Sequence, residues 1–258
     1  MTRLIHISDT HFGTEQPAVV EALHAAVTAQ APDVVVLSGD ITQRARATQF
    51  AAARRFCDSL GVPVVAVPGN HDIPLYHVFD RFLRPYRNYT HYFGAREWIS
   101  HHNGLVIAGF DATSPLRHTR GKLAVAHVER TLTAARAQAP DAMLIAVVHQ
   151  PLMVAWPEDT HEILIGAAQV AEVFARHRVA AVLSGHVHVP MVAQTTAVFP
   201  AVAPAFLHSG AGTAVSRRVR PCAPNSFTVL DCDVARHAVS ARIQVYDSAQ
   251  GAFVPCGA

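Results

Sequence analysis

Cysteine is scarce in this sequence. The four present in 258 residues, Cys57, Cys222, Cys232 and Cys256, make no CxxC pair and are too few for a disulfide scaffold. Charge is sparse too: 16% of residues are charged, and 21 basic against 19 acidic side chains leave a formal net charge of +2. So mild a balance gives no reason to expect a nucleic-acid or membrane partner. No stretch approaches the roughly 18 uninterrupted apolar residues of a spanning helix. The opening residues, MTRLIHIS, enter a strand-like run with no charged leader, apolar segment or cleavage site. The expectation is a soluble, cytoplasmic protein.

Half of the residues are apolar, which allows a sizeable core, and the length favours a single domain over 1–258. Histidine is the abundant titratable residue, 17 of them against 19 acidic side chains. Metal chemistry is therefore worth testing.

One design recurs along the chain. LIHIS runs into Asp9-Thr10-His11, VVVLSG into Asp40, VVAVPG into Asn70-His71-Asp72, MLIAVV into His149, and AAVLSG into His186-Val187-His188. Each opening is a short aliphatic run, as expected of a strand covered on both faces. Helical stripes lie between them: Val20, Leu23 and Val27 after Pro17; Phe50, Ala53, Cys57 and Leu60; Val128, Leu132 and Ala135; Val170, Val173 and Phe174. Strands alternating with helices predict an α/β core, whose functional groups gather beyond the carboxyl ends of the strands. After His188 the pattern changes. Val239, Ala241, Ile243 and Val245 alternate with polar residues, and SFTVLDCD reads as the hairpin partner. The expectation is that 1–188 carries the site and 189–258 completes a second sheet packed on the first.

Asp9, His11, Asp40, Asn70, His149, His186 and His188 form a donor set of oxygen and nitrogen without thiolate. It suits Mn, Fe, Co or Zn better than Ca or Mg. Seven donors exceed one tetrahedral site and fit two ions about 3.5–4 Å apart, bridged by a carboxylate and a water. Two such ions, two carboxylates and a bridging hydroxide leave positive charge in a cleft, which attracts a phosphate ester. The chemistry expected is in-line attack of that hydroxide on phosphorus.

In order along the chain, Asp9-x-His11, Gly39-Asp40, Gly69-Asn70-His71-Asp72, His149 and Gly185-His186-x-His188 resemble the calcineurin-like binuclear metallophosphoesterases, and most closely their bacterial class III cyclic nucleotide phosphodiesterase branch. The resemblance implies a four-layer α/β/β/α sandwich of two mixed sheets flanked by helices. It implies two divalent transition-metal ions, one taking Asp9, His11 and His188, the other Asn70, His149 and His186, with Asp40 bridging. His71 would then lie just outside the coordination shell, facing the phosphate or leaving oxygen, with Asp72 orienting and charging its imidazole. Gln150 departs from the second histidine that many bacterial members carry there, without touching the ligand set.

The function expected is a metal-dependent phosphodiesterase acting on a small phosphate ester, cyclic nucleotides first. The alternatives are a pyrophosphatase, phosphodiesterase or phosphomonoesterase for another small or lipid-linked ester, and a non-catalytic scaffold of the same fold. A homodimer is possible. Outside the motifs, Phe79 and Phe82 are expected on the core face of a helix, and Arg217, Arg218 and Arg220 in a solvated loop rather than against a phosphate or a second subunit. His77, His161 and His208 are the further histidines within possible reach of the site.

Overall fold

In the computed structural model, which describes residues 1–257, the chain begins with β1 (Thr2–Ile7), α1 (Pro17–Gln30), β2 (Val34–Leu37), α2 (Ala47–Ser59) and β3 (Val64–Ala66). Two short helices follow, α3 (Val78–Leu83) and α4 (Arg87–Phe93). Then come β4 (Trp98–His102), β5 (Leu105–Phe110), α5 (Val125–Gln138), β6 (Met143–Val148), α6 (Ala167–Arg176) and β7 (Val179–Ser184). The chain finishes with β8 (Met191–Gln194), β9 (Leu207–Gly210), β10 (Ser226–Asp233), β11 (Ala238–Asp247) and β12 (Ala252–Pro255).

The strands make two six-stranded mixed sheets, ordered β12-β11-β10-β1-β2-β3 and β4-β5-β6-β7-β9-β8. The period of two along β1 shows how the layers form. Leu4 points between the sheets, with Val34 and Val36 of β2, to meet Ile107, Ile145 and Leu183 of the other sheet. Ile5 and Ile7 point the other way, onto Leu23 of α1 and Phe50 and Ala53 of α2. The second sheet repeats the device, packing Ala108, Phe110, Ala146 and Val148 against Val128 and Leu132 of α5 and Val170 and Phe174 of α6. Two faces buried on every central strand give the four layers. Each fully buried aliphatic or aromatic side chain contributes about 1.5–3 kcal/mol.

Three expectations are corrected. The five motif strands divide between the sheets, three in the first and two in the second. The chain after His188 serves both: β8 and β9 extend the second sheet, while β10 pairs antiparallel with β1 and carries β11 and β12 onto the first. The third concerns α3, whose Phe79 and Phe82 face water rather than the core. Arg81 anchors the helix by its opposite face, donating to the Pro74 carbonyl at 3.1 Å and the Arg117 carbonyl at 3.4 Å. Tyr89 of α4 fills the core instead and donates its hydroxyl to the Ala66 carbonyl.

Candidate metal centre

All five polar clusters meet at one edge of the sandwich, beyond the carboxyl ends of β1, β2, β3, β6 and β7. The backbone bends sharply there. Asp9, His11, Asp40, His186 and His188 are five of the eleven non-glycine residues with positive φ among the described residues. Such conformations cost on the order of 1–3 kcal/mol each and cluster at functional sites. Gly69 is needed for a different reason. Its backbone is extended, but a Cβ there would lie 2.2 Å from the Asp40 amide nitrogen and carboxylate.

Two groups of ligand atoms form, Asp9–His11–His188 and Asp40–His149–His186, with the atoms of each within 4.8 Å of one another. Asp40 reaches both: Oδ2 lies 3.7 Å from His11 Nε2 and Oδ1 lies 3.4 Å from His149 Nε2. His11, Asp40 and His71 satisfy the same distance criterion, so His71 lies at the edge of the donor set.

Hydrogen bonds to the far side of each ring decide which nitrogen faces inward. His149 Nδ1 donates to the Ser38 carbonyl and His188 Nδ1 to the Arg218 carbonyl, both at 2.8 Å, which turns each Nε2 toward the centre. His186 is reversed. Its Nε2 donates to Glu162 Oε2 at 2.9 Å, leaving Nδ1 for the centre. Carboxylate or carbonyl partners of this kind orient metal-binding imidazoles. Asp9 is held similarly, Oδ2 accepting the His186 amide N–H at 3.0 Å.

This organisation leaves Asp9 Oδ1, Asn70 Oδ1 and His149 Nε2 buried with no hydrogen-bond partner among the described residues. Unpaired buried polar atoms cost about 1–3 kcal/mol each. Three such atoms among the clustered donors, from a carboxylate, an amide oxygen and an imidazole, fit divalent transition metals. The electrostatics agree. Burial opposes charge on Asp40, yet His149 and His71 outweigh it and hold the carboxyl well below the usual range. Burial likewise disfavours a charged His149, but Asp40 and Asp9 raise it to about 9. The carboxylates stay ionised and stabilise positive charge placed beside them.

His71 donates from Nδ1 to the Gln43 carbonyl at 3.0 Å, with Nε2 3.1 Å from Arg218 Nη1. Burial lowers its pKa, and the nearby Arg218 and Arg44 lower it further against the pull of Asp40. These surroundings disfavour the imidazolium expected there. Asp72 does not touch that ring. Its carboxylate accepts from the amides of Gly69, Ile41 and Thr42 and from the Thr42 hydroxyl, locking the loop after β3 to the loop after β2. Its expected role in orienting and charging His71 is thus corrected to an architectural one.

Two arginines expected in solvent belong to the site. Arg218 Nη1 also lies 3.2 Å from His11 Nε2 and 3.4 Å from Gln43 Oε1. Arg220 pairs with Asp159 at 2.6 Å, donates to the Val187 carbonyl and covers the Trp156 ring. Together with Asp40, Asn70, His71, Glu162, His186 and His188 they line a cleft of about 440 Å³. Of the three additional histidines, His161 also lines this cleft. His77 is exposed beside α3, and His208 is buried against Ser184. Sequence reading missed Glu162 and Gln43, which carry no local signal.

The family described as Calcineurin-like phosphoesterase matches residues 2–190, a span that includes all seven donors. Among curated proteins, the glycerophosphodiester phosphodiesterase GpdQ of Enterobacter lignolyticus (strain SCF1) is 38% identical over 93 residues. The match spans 32% of this chain and 33% of that relative's length. Purple acid phosphatase PPD1 from yellow lupin seeds has a TM-score of 0.68 at 13% identity, over 98% of this chain and 52% of its own. A dimetal phosphatase from Danio rerio has a TM-score of 0.60 at 13% identity, over 94% of both chains. At such identities the likeness is one of fold.

Proposed function

The chain belongs to the calcineurin-like phosphoesterases, a binuclear metal-dependent family, and from that premise we propose that it is a phosphodiesterase whose site holds two divalent transition-metal ions. The observation that carries the reading is the pair of ligand groups, Asp9–His11–His188 and Asp40–His149–His186, with Asp40 beside a histidine of each and Asp9 Oδ1, Asn70 Oδ1 and His149 Nε2 buried without hydrogen-bond partners. In this reading Asp9, His11 and His188 hold one ion and Asn70, His149 and His186 the other, with Asp40 shared. Two ions bound there supply Lewis acidity at phosphorus and a water acidified toward neutral pH.

The chain's own groups do the remaining work. Ser38, Glu162 and the Arg218 carbonyl keep a lone pair of each imidazole aimed inward. The Arg218 guanidinium presents a fixed positive charge to a phosphate oxygen entering the cleft, in the charge-assisted geometry that phosphate recognition favours. His71 Nε2 faces the same space and, with Nδ1 committed to Gln43, donates to a phosphoryl or leaving oxygen only when the ring takes up a second proton.

A diester is favoured over a monoester by the partial relative, named as a glycerophosphodiester phosphodiesterase, and by the class III motif pattern. Cyclic nucleotides and glycerophosphodiesters are the substrates to test. The complete donor set argues against a non-catalytic scaffold. The deciding experiment is a screen of metal-reconstituted protein against cyclic nucleotides, glycerophosphodiesters and monoesters at equal concentration. Turnover of one diester class well above every monoester is expected. Preference for monoesters, or turnover of none, would overturn the proposal.

A further inference from the structure

Helix α3 is amphipathic the wrong way round for a monomer. Val78, Phe79, Phe82 and Leu83 fall within about 140° of one face, and Asp80 and Arg81 on the other. Globular packing would turn the apolar face inward. Here Asp80 and Arg81 are half-buried, while the four apolar side chains are 53–67% exposed. Tyr76 and Leu116 add to the patch at 72% and 81%, so six of the ten exposed large hydrophobics in the described residues belong to these two neighbouring segments. The bond from Arg81 to the Arg117 carbonyl holds the segments together. Exposed patches of this kind mark binding surfaces.

Charge identifies what covers it. Between Asp72 and Glu97 the one acidic residue is Asp80, which is turned inward, and none occurs from Ala112 to Val128. Basic residues crowd the same stretches. Arg120 is exposed on the Leu116 segment and Arg44 lies over the Tyr76 ring at 5.3 Å, while Arg84 and Arg87 share a recess with Asp80 on the other side of the helix. A second copy docking by twofold symmetry would set arginine against arginine with no outward acid to pair them. An anionic bilayer surface satisfies both features, taking the apolar side chains at the headgroup boundary and the arginines at lipid phosphates.

We propose that the α3 face docks on the surface of an anionic bilayer. The inference stands on the helix and not on the chemistry of the metal centre. Leu75 and Arg81 line a recess with Asn70 and His71, so docking brings the edge of that centre to the lipid surface.

The test is co-sedimentation of the full chain with vesicles of phosphatidylcholine alone and of an equimolar mixture with phosphatidylglycerol. Near an anionic surface each basic residue strengthens binding about fivefold, so the mixed vesicles should bind at least about tenfold better, with the difference fading as salt is added. Phe79→Ser combined with Phe82→Ser should abolish most of this binding at an unchanged thermal midpoint. Arg44→Glu with Arg120→Glu should remove the preference for the anionic lipid. Equal binding to both vesicles, or none, overturns the proposal. So does a wild-type dimer in sedimentation that the serine variant converts to monomer, because the face would then be a self-interface.

Discussion

Asn70 is the weakest donor in its set, a neutral amide oxygen among carboxylates and imidazoles, and its Oδ1 is buried without a partner. Asn70→Ala should therefore weaken one metal affinity by about tenfold or more and leave the other nearly unchanged, as read by metal titration. Equal loss at both sites would count against the division of ligands. Arg218 makes a different prediction because it faces the cleft. Loss of a charge-assisted bond to substrate is worth about 10–100-fold, so Arg218→Ala should raise KM for a diester by that factor, with Arg218→Lys intermediate and both metals retained. The donors were legible in the sequence because each follows a strand-like run. Glu162 and Arg218 were not, since His186 and Glu162 meet across a separate turn and Arg218 reaches His71 over 147 positions of chain.

At the scale of elements, the site is built by strand ends that must approach closely. Gly69 follows β3 against the backbone of Asp40 after β2, and a methyl group there would have to displace main chain. Gly69→Ala should cost at least about 1–3 kcal/mol and, more tellingly, abolish metal binding in a protein that still gives a folded circular-dichroism spectrum. Retained stoichiometric metal would show that the loop tolerates the shift. The strand-and-helix rhythm was legible because both periods are strong, and the four expected helical stripes are buried in α1, α2, α5 and α6, except that Val19 takes the place of Val20 on the buried face of α1. What periodicity lacks is partnership. It gives a strand two faces without saying which sheet it joins, so β10 and β11 read as a separate sheet although β10 pairs with β1. It likewise found the apolar face of α3 without its direction, which the Arg81 hydrogen bonds decide.

On the scale of the whole molecule, the core holds two uncharged histidines, His6 between the sheets and His208 on the helix-covered face of the second sheet. His6 lies between Ser209 and Ser38, and burial, with some repulsion from His208, lowers its pKa to about 3. Burial lowers His208 to about 4. The unfolded chain binds these protons at the ordinary value of 6.5 and the folded chain does not, so stability falls as pH drops below 6.5. Each histidine contributes a slope of about 1.4 kcal/mol per pH unit, with the His208 contribution levelling near pH 4 and that of His6 near pH 3. In urea unfolding between pH 7 and about 4.5, the slope for His208→Gln should be smaller than that of the unsubstituted chain by about 1.4 kcal/mol per pH unit. An unchanged slope would mean that the buried ring is not the acid-sensitive group. Both sheets direct their strand ends to one edge, and everything proposed for that edge depends on two ions sharing Asp40. Elemental analysis of the reconstituted protein, set beside its diesterase activity at each level of loading, examines this most directly. Activity should rise to its maximum only as the content approaches two ions per chain, and Asp40→Ala should lose both ions. Full activity at one ion per chain, or an Asp40→Ala protein that keeps two, would contradict it.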